Sequence, residues 1–410
     1  MCHASSICLN VASSSCARVT PVTRAPRVAP WLGSIESIWV IFNLAVRGLV
    51  LVSPKGISLH GTVLHRFRGS ASRLAKRYGL HGIKEKSMTS PEILRWETIT
   101  KKRFDEIDRA RAIVLVTCSP LEVHGPHLPL GADLLEGEGL SERMVAHLPE
   151  AHRDRTFLKL PFIYAASDPV PQPGSLRFRV STIIAVLEDL GRSLAAQGFK
   201  NVVVSNFHGS PRHFVAIEAA CDKVSKACGI NMVGLFSLML TRLEVEGSEL
   251  GHVLGHVPGV TPEDFVGDTH GGLVETSQLL ALHPELIDPD YKDLPRRDVD
   301  RWLAEKGETK PDKPGAGLAA LPQMLKSFKA GLHYFVEETY SGQPGKASPE
   351  LGEAFLDILG GKAAEAMTDL LDGKISAEDC HSPVWKIRHL FVNETAIRTS
   401  NWILKYPENV

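Results

Sequence analysis

The densest chemistry in this chain lies in one stretch, Leu121-Glu122-Val123-His124-Gly125-Pro126-His127-Leu128-Pro129-Leu130-Gly131-Ala132-Asp133. Glu122 and His124 are two apart, so in extended backbone their side chains project to the same side. Gly125, Pro126 and Pro129 break regular structure and can turn the chain back, which would return Asp133 toward the first two side chains. Carboxylate, imidazole and a second carboxylate are ligands that a borderline divalent metal takes. One aspartate can lend an oxygen to each of two ions, as two-metal hydrolases require. Taken alone, the stretch also reads as a polar loop with a satisfied histidine and an N-cap aspartate.

Two later stretches repeat the pattern. In Asn201-Val202-Val203-Val204-Ser205-Asn206-Phe207-His208-Gly209-Ser210, a valine run ends in Asn, His and Gly. Gly267-Asp268-Thr269-His270-Gly271-Gly272-Leu273-Val274-Glu275-Thr276-Ser277 is again rich in His and carboxylates. Three such sites are hard to explain as three separate solvated loops.

With these residues in view, the chain resembles the creatinine amidohydrolase (creatininase) family. The likeness rests on Glu122-x-His124-Gly-Pro-His127-Leu-Pro-Leu-Gly-x-Asp133, on Asn206-x-His208-Gly209, and on His270-Gly-Gly-x-x-Glu275-Thr-Ser. Pro173-Gly174-Ser175 and Ala347-Ser348-Pro349-Glu350-Leu351-Gly352-Glu353 are weaker echoes, and the whole likeness spans roughly residues 90–371.

The resemblance implies a dinuclear centre of two divalent ions, Zn, Mn or Fe. One would be held by Glu122, Asp133 and His208, the other by His124, Asp133 and a further carboxylate, for which Glu275 is the candidate. It implies His270 as proton shuttle, with Glu122 as the accompanying catalytic carboxylate and Gly271 and Gly272 letting backbone approach closely. Ser175 would touch substrate, although Pro173-Gly174-Ser175 alone is an ordinary turn. His127 is either a substrate group or a supporting one, or else a satisfied loop histidine. The implied activity is hydrolysis of a non-peptide C–N bond in a cyclic or small amide by a metal-activated water, with a small-molecule substrate and a homo-oligomeric assembly.

Two departures stand against the pattern. Where the namesake has a carboxylate two residues beyond the second-motif histidine, this chain has Ser210. Near the place of a substrate-side tryptophan it has Asp264-Phe265-Val266-Gly267. Creatinine itself is therefore in doubt, and a non-catalytic binding protein with an incomplete metal site is the alternative.

The elements that must position these residues read as an α/β fold: a three-layer α/β/α sandwich with a mostly parallel (mixed) sheet. Ala112–Thr117 is a β-branched apolar run, as expected of a strand buried on both faces. Ligands bind beyond the carboxyl ends of such strands. Leu135–Leu148, Ser181–Gln197, Arg212–Cys228, Glu275–His283 and Pro349–Leu371 read as helices, and the Ile183-to-Leu194 stripe is the clearest amphipathic face. Phe157–Tyr164, Val202–Val204 and Asn231–Phe236 read as strands. Ser90-Pro91-Glu92 reads as a helix start, with a second, charged helical piece over Thr98–Ala110. Asp288–Gly317 reads as a polar surface excursion. His252 and His256 have a metal-ligand spacing but lie among glycines and read as an unliganded loop pair.

Composition bounds the rest. The chain has 410 residues, 43% hydrophobic and 23% charged, which is ordinary for a soluble globular protein. The net charge of −1 hides a +10 segment over Met1–Lys84 and a −11 remainder. Residues 1–87 are read as a poorly ordered basic extension: a targeting peptide, a signal anchor, or sequence ahead of a true start at Met88, the last being favoured. Residues 88–374 form the amidohydrolase domain, and 375–410 a tail with no assignable role. The seven cysteines show no C-x-x-C pair, so a disulfide framework and structural zinc are not expected. Cys118 reads as a buried thiol rather than a nucleophile. No phosphate loop or Gly-x-Gly-x-x-Gly opens a βαβ unit. Nucleic-acid binding is not expected, nor is membrane contact by the body, and the location expected is cytoplasmic.

Overall fold

Five short apolar strands make one sheet in the order β1-β3-β2-β4-β5: β1 (Ile93–Arg95), β2 (Ile113–Thr117), β3 (Phe157–Lys159), β4 (Asn201–Ser205) and β5 (Asn231–Gly234). The computed structural model describes residues 91–242, 257, 259–308 and 321–407. The expectations for residues 1–87 and for the His252/His256 pair lie outside that range. All described residues belong to the unit Leu32–Val410. Every described strand pair is parallel, and antiparallel pairing occurs only as isolated bridges such as His270 with Ser341.

Strand alternation divides the core in two. Ile113, Leu115, Phe157, Val203 and Val233 face one side, where they pack on α1 (Ala132–His147), α4 (Leu235–Leu240) and α7 (Pro349–Leu371). Val114, Val116, Leu158, Val202, Val204 and Met232 face the other, against α2 (Val180–Ala196) and α3 (Pro211–Cys228). Because both faces are covered, the strands carry apolar residues toward both sides, and β2 and β4 are buried throughout. The three-layer α/β/α reading therefore holds. α5 (Leu273–Leu282) lies beside α1 and α7, and α6 (Leu321–Glu337) completes the set of long helices near the site.

Several local expectations are corrected. Pro91-Glu92 leads into strand β1 instead of a helix, because Ile93 and Leu94 pair with Phe157 and Leu158, and that pairing overrides local cap chemistry. Of Thr98–Ala110 only Lys101–Asp105 and Thr98, the last residue of the short turn Trp96–Thr98, are helical. β3 ends at Lys159, just before Pro161, which has no N–H to donate. Leu235–Leu240 turns helical where a longer strand was expected, in keeping with its Leu and Met content. The polar stretch after Asp288 is not all surface: Tyr291, Trp302 and Leu303 are buried, and Trp302 and Leu303 pack with Tyr334 of α6.

The tail is also folded onto the body. α8 (Glu394–Leu404) buries Ile397 in the core on the α2/α3 side. Further back, the Ser382 N–H donates to the Glu218 carboxylate of α3. Among the described residues no helix is long and apolar enough to cross a membrane.

Two stability outcomes follow. On α7, a Cβ at Gly352 would strike the Ser277 carbonyl of α5, whereas one at Gly361 meets nothing within 4 Å. Gly352→Ala should cost about 1–3 kcal/mol by overpacking, while Gly361→Ala should gain about 0.5–1 kcal/mol from helix propensity. Chemical denaturation of the pair checks this, and equal effects would refute it. Burial pushes the Glu218 carboxyl up to about 7. The folded state then holds a proton that the unfolded state releases above about pH 4.5, so this group stabilises fully below that pH and its contribution is lost as pH rises through 7. Glu218→Gln should therefore raise the melting temperature at pH 8 by the equivalent of about 3 kcal/mol and change little at pH 4. A pH-independent difference between the two proteins would count against the assignment.

Candidate metal centre

Register places the site. Thr117 of β2 pairs with Ser205 of β4, so the chain leaves two central strands side by side at their carboxyl ends. The loop after β2 doubles back as its prolines and Gly125 allow: the Glu122 N–H donates to the Leu130 carbonyl at 2.8 Å. Asp133 then falls in the first turn of α1, where a carboxylate is favoured by the helix dipole. His208 comes from the loop after β4. Glu275 lies in the first turn of α5, whose start is capped by Asp268, which accepts from the Leu273 and Val274 N–H groups at 2.9 Å each.

Glycine is required at two adjacent positions here. Gly271 has φ +56° and packs against the His124 backbone, and a Cβ at Gly272 would collide with the Asp268 carboxylate. The pair lets the His270 loop close onto the first loop.

Glu122, His124, Asp133, His208 and Glu275 are all buried. One ligand atom each from Glu122, Asp133 and His208 lies within 4.8 Å of the other two, and the same holds for His124, Asp133 and Glu275. Asp133 is common to both groups. Glu122, His124 and His270 form a third group by the same measure. His208 Nδ1 stands 3.0 Å from Glu122 Oε2 and 3.6 Å from Asp133 Oδ2. His124 Nε2 stands 3.5 Å from Asp133 Oδ1 and 3.9 Å from Glu275 Oε2.

The remaining hydrogen bonds set the tautomers. His124 Nδ1 is 3.1 Å from the Glu122 carbonyl, and His208 Nε2 is 3.1 Å from the Ser167 carbonyl. A carbonyl only accepts, so those nitrogens carry the protons in neutral rings. The opposite nitrogens, facing the carboxylates, offer lone pairs. Metal-binding histidines usually have this outer partner. The Glu122 carboxylate is similarly divided: Oε1 accepts from the Val170 N–H at 2.6 Å, and Oε2 has no hydrogen-bond partner. His124 Nε2 and Asp133 Oδ2 also lack partners. Buried polar atoms are rarely orphaned, and these converge.

Charge tells the same story. Burial opposes the imidazolium form, yet Asp133 and Glu275 carry His124 well above its usual range, and Glu122 carries His208 up to about 9. Burial also raises Glu275 to about 7. With neutral imidazoles, the three buried carboxylates would leave uncompensated negative charge, and divalent cations fit that donor set in type.

The other candidates are placed as follows. His270 Nε2 donates to the Val123 carbonyl at 2.7 Å, its ring stacks on His124 at 4.1 Å, and burial followed by His124 drives its pKa well below the usual value, so it is neutral. His127 is buried, meets Thr276 Oγ1 at 2.8 Å, and is lowered by burial to about 4. Ser175 Oγ accepts from the Val123 N–H at 3.1 Å and so braces the metal loop. Ser210 sits half-buried at the N-cap of α3, and neither three-residue group around Asp133 includes it. Phe265 is fully buried among Leu273, Leu351 and Phe355. The aromatic ring beside His270 is instead Phe335 of α6, edge-on at 5.3 Å. Cys118 is a buried thiol pushed by burial up to about 12, as expected of a structural cysteine.

Sequence reasoning read a loop over Ser167–Ser175 but missed its contacts with Glu122 and His208, and it missed Phe335 and Glu136. Glu136 is fully buried three residues after Asp133 on α1, with neither carboxylate oxygen partnered. Burial, then Glu275 and Asp133, raise its pKa well above the usual range. The i,i+3 spacing from Asp133 was its available signal.

The comparisons with known proteins agree in kind. A family model described as creatinine amidohydrolase matches residues 97–367. A creatinine amidohydrolase of Pseudomonas putida is 24% identical over 201 residues, covering 47% of this chain and 73% of that protein. Among solved structures, a mutant creatininase complexed with creatine aligns at 20% identity with a TM-score of 0.47, covering 69% of this chain and 99% of the other. A manganese creatininase aligns at 19% identity with a TM-score of 0.46, covering 69% and 99%.

Because Asp133 is common to two donor groups, Asp133→Ala should abolish divalent-metal retention, whereas Glu275→Gln should lower it only in part. Mass-spectrometric metal analysis after dialysis checks both, and two ions retained in Asp133→Ala would refute the bridging role.

Proposed function

The chain belongs to the creatininase family, and from that premise we propose that it is a metal-dependent amidohydrolase cleaving a non-peptide C–N bond of a cyclic or small amide. The observation that carries this reading is the pair of buried donor groups sharing Asp133. Glu122, Asp133 and His208 would hold one ion, and His124, Asp133 and Glu275 the other. Bound there, two divalent ions supply Lewis acidity toward a carbonyl and lower the pKa of a water toward about 7.

The chain's own residues supply orientation and proton transfer. Backbone carbonyls fix His124 and His208 in the tautomers that present lone pairs. Glu122 is split between the Val170 N–H and the cavity, so its free oxygen is held at one place. His270 starts neutral with Nε2–H committed to Val123, which leaves its other nitrogen to accept a proton and then deliver it to the departing nitrogen of the amide. Phe335 against that ring and the buried His124 beneath it keep the transfer away from bulk water. His127 acts through Thr276, steadying the start of the helix that carries Glu275. Ser175 steadies the Val123 backbone, and Gly271 lets the His270 loop lie close enough for substrate to bridge the two.

Ser210 favours a second reading, a binding protein of the same fold that performs no hydrolysis. One experiment separates the two. A zinc- or manganese-loaded preparation is assayed on a panel of cyclic and small amides, including creatinine and formamidopyrimidines, alongside His270→Ala. Hydrolysis of at least one amide, reduced about 10²- to 10⁴-fold by His270→Ala with both metals retained, supports the enzyme. No turnover of any amide by the loaded protein supports the binding role. Association of copies into a homo-oligomer belongs to the same reading, motivated by Trp402 at 80% exposure on α8. A light-scattering mass equal to one chain would remove it.

A further inference from the structure

The Ser167–Val170 loop is gripped from two sides. On its inner side the Ser167 carbonyl accepts from His208 Nε2, and the Val170 N–H donates to Glu122 Oε1 at 2.6 Å. Both partners belong to the same donor group around Asp133. Between those two contacts stands Asp168, with φ +54°, one of two non-glycine residues with positive φ among the described residues. Aspartate tolerates that left-handed region better than most side chains but does not prefer it, so something must hold the loop there.

Two arginines hold it, and the tail in turn engages those arginines and Pro169. Asp168 Oδ1 accepts from Arg212 at 3.1 Å and Arg177 at 3.4 Å. Arg212 donates in turn to Asn401 Oδ1 and Ser400 Oγ of α8, each at 2.7 Å. The Tyr406 hydroxyl donates to the Pro169 carbonyl at 3.1 Å, and the Arg177 guanidinium lies 4.2 Å from the Tyr406 ring centroid. The Asp168 and Arg212 side chains are largely buried, so these contacts are shielded from the screening that weakens surface ion pairs. α8 lies wholly beyond residue 367, where the family match ends.

We propose that the C-terminal segment Ser400–Tyr406 is a positioning element of the metal centre, acting through Asp168 and Pro169 to hold Glu122 and His208 in ligating geometry. Its residues touch neither ion nor substrate. They set the backbone to which two of the three donors on one side are hydrogen-bonded. Partners of this outer kind typically change metal affinity by 10- to 100-fold. The effect should be one-sided, because His124 and Glu275 make no hydrogen bond to this loop among the described contacts.

The inference rests on the two-ion reading of the site, and the test separates the two. Full-length Tyr406→Phe and Asn401→Ala, each a small deletion of one contact, are titrated with Co²⁺ and followed by absorption, with thermal midpoints recorded metal-free. The expected result is that one of the two Co²⁺ dissociation constants rises about tenfold while the other and the metal-free midpoint stay put. In a Glu122→Gln background the same tail substitutions should no longer change the ion that remains. Unchanged affinities for both ions overturn the positioning role and leave the metal site standing. So does a loss equal for both ions that tracks a fall in midpoint. If the wild-type chain binds no Co²⁺, the metal reading fails and this inference falls with it.

Discussion

Three carboxylates buried together are the constraint around which this molecule is arranged. Taking a carboxylate out of water costs several kcal/mol after relaxation, and Glu122, Asp133 and Glu275 are all taken out of it. The two imidazoles among them cannot turn both nitrogens inward, because one nitrogen of each is committed to a backbone carbonyl. Left to themselves the side chains would share protons, which is what the raised pKa values of His124 and His208 express. The lone pairs that face the carboxylates are left open to a cation with those outer bonds in place. The neighbouring sheet, the Asp268 cap and the close-packed glycines make sense as devices that keep five repelling or competing groups within a few ångströms.

Much of this was legible in the chain, for physical reasons that can be named. Ile113–Thr117 and Asn201–Ser205 are apolar at nearly every position because both faces of a parallel strand are covered, and the abrupt return of Glu, His and Asn marks where each strand stops. Val180–Ala196 and Pro349–Leu371 show themselves by periodicity and caps. Asp133 was read as returning toward Glu122 and His124, and the turn at Gly125 does bring it there. What was illegible depends on partners distant in sequence. Ile93–Arg95 is too short to announce itself, and only β3 makes it a strand. Nothing about Asp168 or Tyr406 distinguishes them from other loop residues until Arg177 and Arg212 are seen between them.

The aromatic side chains around the donors are not where the resemblance placed them. Phe265, near the position where the namesake has a substrate-side tryptophan, turns into a small core with Leu273 and Phe355. Phe335, brought by α6, stands against His270 instead. Ser210 caps a helix rather than presenting a carboxylate, while Glu136 lies buried with neither oxygen partnered.

The donors of the centre come from residues 122, 124, 133, 208 and 275, joined only through the sheet and the helices that follow it. Contacts so widely spaced along the chain form late, after the entropy of closing long loops has been overcome. During synthesis, then, these five side chains are not all present until translation has passed Glu275.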